Sequence, residues 1–70
     1  MWLIKKNESF DVVSAIVTYN TKTNMHGLYV GKVDGRSRLI KESKDKKEVM
    51  EIKEAIDYAI EHGEKVLRIS

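Results

Sequence analysis

The residues able to do chemistry in this chain are few and scattered. His26 and His62 are its only imidazoles. They lack the i, i+4 spacing of a helical metal pair, and with no cysteine available a metal site is not expected. Serines stand at 9, 14, 37, 43 and 70, none in the G-x-S-x-G setting of an activated nucleophile. Glu51, Glu54, Asp57 and Glu61 recur at helical spacing, which places them on a solvated face rather than in a pocket that would tune an acid and a base. The glycines at 27, 31, 35 and 63 form no phosphate-cradling loop before a helix. The residues therefore predict a protein that is not an enzyme and carries no cofactor and no metal.

One short motif invites a comparison. Leu28-Tyr29-Val30-Gly31-Lys32-Val33 resembles the aromatic strand motif of the RNA-recognition module, whose aromatics stack on bases. The resemblance covers six residues. That module requires a helix next and a second aromatic motif downstream. Here Asp34-Gly35 follows at once, and the only phenylalanine is Phe10. Asn7-Glu8-Ser9 matches a glycosylation sequon, but the start Met1-Trp2-Leu3-Ile4-Lys5-Lys6 has no apolar leader segment, and no apolar run approaches a membrane span. The absence of cysteine fits a reducing compartment, so the expected location is cytoplasmic, with no membrane contact.

The chain has 70 residues, 41% of them apolar and 34% charged, without proline. That is one small domain, residues 1–70, with a single core. The net charge of +2 is unevenly spread. Residues 1–44 hold eight cations against four anions, whereas residues 45–64 hold three against seven. Ten lysines against three arginines count against dedicated phosphate recognition, where the guanidinium fork is favoured.

Periodicity then supplies the elements. Trp2 to Lys6 reads as a short strand, and Val12 to Tyr19 is β-branched and aromatic, the strongest strand signal present. Asn20 to Gly27 is polar and turn-forming, a loop joining it to a strand Leu28 to Val33. Asp34-Gly35 signals a two-residue type I′ hairpin turn, and Arg36 to Glu42 returns. After Asp45 and Glu48, a capping-box pair, Val49, Ile52, Ile56, Ala59 and Ile60 share one helical face. Gly63 stops that helix, and Lys65 to Ile69 forms a last strand. The fold expected is α+β in two layers: a mainly antiparallel sheet of four to five strands with one helix on one face, in the order β-β-β-β-α-β.

The expected turn fixes a pairing, which sorts side chains by face. It sets Val33 opposite Arg36, Gly31 opposite Arg38 and Tyr29 opposite Ile40. Leu28, Val30 and Leu39 then lie under the helix, and Tyr29, Val33, Arg36, Arg38 and Ile40 form a second face with apolar and basic character. Strand Val12 to Tyr19 is apolar on both sides. On the helix Tyr58 points away from the buried stripe, among Glu51, Glu54 and Glu61, as a secondary contact candidate.

A chain of about 70 residues rarely draws more than roughly 3–5 kcal/mol from its core, and usually adds a disulfide, a metal or oligomerisation. Only the last is open here. The expected function is thus a self-associating protein-interaction module, a homodimer through the second face or through an edge strand such as Trp2 to Lys6, with another protein as a further possible partner. The alternative partner is single-stranded nucleic acid, stacked on Tyr29 beside Arg36 and Arg38 with Lys5, Lys6 and Lys22 at the rim. A third reading makes the acidic helix a mimic that occupies a basic cleft.

Overall fold

In the computed structural model, which describes residues 1–69, strand β1 (Trp2–Lys5) turns into the long β2 (Glu8–Asn20), followed by β3 (Met25–Lys32), β4 (Ser37–Ser43), helix α1 (Lys46–Glu61) and β5 (Val66–Ile69). The strands form one sheet in the order β4-β3-β2-β1-β5. All neighbours are antiparallel except β5, which lies parallel to β1. Helix α1 leads the chain from the β4 edge to the opposite edge and so must cross one face. The small α+β fold read from the sequence is the one observed.

The helix ends where its side chains and backbone dictate. Asp45, extended at φ −90°, accepts a hydrogen bond from the Lys47 N–H at 3.0 Å, and Glu48 adds a carboxylate to the first turn. At the other end the Glu64 N–H reaches the Ala59 carbonyl and the Gly63 N–H the Ile60 carbonyl, with Gly63 at φ +68°. This is a Schellman cap, in which the left-handed residue is glycine because a Cβ resists that conformation. Between the caps Val49, Ile56 and Ala59 are buried and Ile52 and Ile60 flank them. They meet Leu3 of β1, Phe10 and Val12 of β2, Leu28 and Val30 of β3 and Ile40 of β4. No polar side chain is buried among the described residues.

Two turns depart from the expected ones, and a third is additional. The tip of the β2–β3 hairpin is only Thr21 to Asn24, because Asn24 takes a left-handed φ of 57° and the Asn20 side chain accepts from the Lys22 N–H. Met25, His26 and Gly27 therefore belong to β3. At Asp34-Gly35 the loop has three residues instead of two. The Lys32 N–H bonds the Arg36 carbonyl, the Gly35 N–H bonds the Lys32 carbonyl, and Gly35 alone is left-handed, at φ +88°. Such a loop is a type I turn closed by a left-handed glycine, so Asp34 keeps a negative φ. The two-residue turn is instead at Lys6-Asn7, where Lys5 pairs Glu8 and Lys6 has φ 55°.

The extra residue shifts the β3–β4 register by one. Val30 faces Arg38 and Tyr29 faces Leu39, where Leu39 and Ile40 were expected. A β-bulge at Ile40 absorbs the shift, and Leu28 still faces Lys41. A second bulge at Val13 reverses the alternation along β2. Phe10 and Val12 face the helix before it, and Ala15 and Val17 after it. The N-terminal strand is not an edge either, since β5 lies beside it.

Gly35→Val should lower stability, by on the order of 1–2 kcal/mol, because a β-branched residue resists the left-handed φ; a thermal melt checks it, and Asp34→Gly should bring no gain. Ile56→Ala should cost about 2–5 kcal/mol in denaturant titration. Tyr58→Ala should cost far less, its side chain being exposed.

Candidate interaction face

The helix covers one side of the sheet, and the other carries a bulky cross-strand row. Ile16 of β2, Tyr29 of β3 and Leu39 of β4 stand side by side. Ile16 is 60% exposed and Leu39 36%. Gly27 leaves room for the Tyr29 ring: a Cβ there would sit 3.2 Å from the ring and 3.5 Å from a Leu39 methyl. On the side of the row away from Gly27 runs a row of small residues, Ser14, Gly31 and Ser37. A Cβ on Gly31 would come within 2.5 Å of the Ser14 hydroxyl, which keeps this row low. The result is a ridge beside a trough.

The apolar surface continues on the other half of the sheet. Trp2 and Val66, paired across β1 and β5, are both exposed. An open cleft of about 320 Å³ separates the halves where β2 bends, lined by Trp2, Ser9, Phe10, Asp11, Lys32, Val33 and Asp34. Val33 lies at its rim in the hairpin loop, with its N–H on the Asp11 carbonyl.

Of the residues expected to make one face, the structure brings only some together. Tyr29 is there, and Val33 stands exposed in the loop beyond it. Arg36 is exposed at the end of the same loop. Ile40 is a correction: it is 3% exposed and sits in the core, because the bulge turns it under the helix and leaves Leu39 on the second face. Arg38 is a second correction. It pairs opposite the buried Val30 and so belongs to the helix side, where its guanidinium bonds Glu8 at 2.6 Å and lies 5.1 Å from the centre of the Phe10 ring. Lys5 joins it there and donates from Nζ to the Ile40 carbonyl. Tyr29 and the cations Arg38 and Lys5 thus lie on opposite sides of the sheet. Ile16, Trp2 and Leu39 are the residues the sequence reading missed; the apolar alternation of Val12 to Tyr19 carried the signal for Ile16.

Tyr58 is exposed, as expected, and stacks on His62 with ring centres 3.8 Å apart. The His62 Nδ1 lies 2.9 Å from the Tyr58 carbonyl and donates to it. His26 belongs to another element, β3, where it lies beside the Tyr19 ring of β2. Among the described residues no three metal-ligating side chains converge, and no helix is long and apolar enough to cross a membrane.

The geometry thus defines a small α+β chain with an open, apolar sheet face. Comparison with family models, with curated proteins and with solved structures finds no match to this chain.

The two corrected residues give a direct test of face. Ile40→Asp should unfold the protein, since an unpaired carboxylate in the core costs several kcal/mol. Leu39→Asp should leave the circular dichroism spectrum of a folded chain.

Proposed function

We propose that this chain is a non-enzymatic interaction module that self-associates through the sheet face bearing Ile16, Tyr29 and Leu39. The carrying observation is that row of exposed apolar side chains, standing beside the trough of Ser14, Gly31 and Ser37. A ridge next to a trough is self-complementary: about a two-fold axis between the rows, each ridge enters the trough of the other copy. The exposed area supports the same reading. The single chain exposes 4979 Å², whereas a compact monomer of its mass exposes about 4,500 Å². A standard interface takes about 800 Å² from each partner.

A second copy also suits the charge. The second-face rows carry no charged side chain between Ser14 and Leu39, so two copies meet without like charges at the centre. Single-stranded nucleic acid would need cations in that place.

Sedimentation at high micromolar concentration should give a mass of at least twice the monomer. Ile16→Asp should halve that mass while leaving the fold intact, because the site is exposed in the single chain and buried in the contact. A folded native monomer overturns the proposal, as does an assembly that Ile16→Asp leaves unchanged. Titration with single-stranded oligonucleotides at two salt concentrations should show no salt-dependent binding.

A further inference from the structure

The two edges of the sheet are unlike. The β4 edge is guarded by the Ile40 bulge, by the charges of Arg38, Lys41 and Glu42, and by the Lys5 ammonium on the Ile40 carbonyl. Each of these devices discourages a further strand. The β5 edge has neither the bulge nor a side chain on its carbonyls: Val66–Ile69 runs without bulge or proline and carries one charge, Arg68.

The direction of its free groups follows from the ladder. The Trp2 N–H donates to the Lys65 carbonyl at 2.8 Å, and Trp2 is level with Val66. Lys65 and Leu67 therefore turn their main-chain groups toward β1, and Val66 and Arg68 turn theirs outward. That leaves four free groups, the N–H and C=O of Val66 and of Arg68.

We infer that β5 pairs antiparallel with β5 of a second copy, about a two-fold axis at Leu67. This register bonds Val66 to Arg68 of the other copy twice and Arg68 to Val66 twice, so every one of the four groups is satisfied and none is left over. No other strand is needed to complete it. Leu67 then meets its own equivalent on the helix side. On the second face Arg68 lies opposite Val66 of the other copy, next to Trp2, and lays its alkyl stem on the exposed valine. The contact does not rest on the ridge-and-trough association; it joins the two second faces edge to edge into a wider one.

The test uses the Ile16→Asp chain, which lacks the face contact. At several hundred micromolar it should still sediment as a dimer, and adding Val66→Pro should make it a monomer. The proline removes an outward N–H only, a place where an edge strand tolerates it. If Ile16→Asp alone is already monomeric, the edge pairing is overturned and the face association stands. If Ile16→Asp keeps the native mass and Val66→Pro halves it, the edge pairing stands and the face association fails. A dimer that survives Val66→Pro overturns the register. Should the proline variant not fold, charge reads the same register, since Val66 faces Arg68 of the other copy in two equivalent places. Val66→Glu should then tighten the dimer and Val66→Lys loosen it, each by roughly 2- to 30-fold in dissociation constant. Equal affinities for the two overturn the pairing.

Discussion

One helix of sixteen residues has to cover a sheet of five strands, and the rest of the structure follows from how that is done. The helix is about 24 Å long and one apolar stripe wide. A flat sheet would touch it along a line. The sheet is instead bent along β2, whose first part pairs with β1 and whose second part pairs with β3. The bulge at Val13 marks the change of partner and resets which side chains face inward. On the concave side the ends of the sheet approach so closely that Lys5 of β1 reaches the Ile40 carbonyl of β4 across two intervening strands. A carbonyl at a bulge stands outside the ladder and accepts what comes from elsewhere. The same bulge puts Ile40 under the helix.

The elements were legible because each rests on local chemistry. Asp45, Gly63 and the Val49 to Ile60 spacing delimit the helix without reference to anything distant. The strands follow from β-branched runs. Register was less legible, because it depends on counting loop residues. Asp34-Gly35 reads as a two-residue turn, and nothing local distinguishes that from a three-residue loop with glycine last. The single residue of difference exchanges Leu39 for Ile40. At Lys6-Asn7 the failure ran the other way: lysine is a poor candidate for a positive φ, and the tight pairing of Lys5 with Glu8 imposes it.

The bulge at Val13 left a trace in the sequence. Apolar residues at 10 and 12, then at 15 and 17, are each in phase with alternation but out of phase with one another. A strand that looks apolar on both faces can be a strand that changes face midway. The excess of apolar positions in Val12 to Tyr19 thus had two sources. Some residues supply the core on either side of the bulge, and Ile16 remains on the open side. Arg38 could not be assigned by such reasoning, since its place under Phe10 and beside Glu8 depends on the bend that brings β2 and β4 together.

The second face and the β5 edge pose the same physical problem in two forms. Ile16 and Val66 are apolar groups left in water, and the outward Val66 and Arg68 groups are main-chain donors and acceptors left without a strand. In a dilute chain water satisfies the main-chain groups, whereas the apolar side chains keep the cost of their exposure. Neither arrangement improves the stability of the fold itself: an exposed isoleucine on a sheet contributes little that threonine would not. Sequences meet the opposite requirement at β4, where the bulge and the charges close the edge. A chain that guards one edge with three devices and the other with a single charge, and that packs its helix on one side while leaving a ridge and trough open on the reverse, has its solvent exposure distributed unevenly. Even-handed selection for solubility would have spread polar residues over both. That asymmetry is what the two proposed contacts would use: one would cover the ridge and trough, and the other would pair the outward groups of β5.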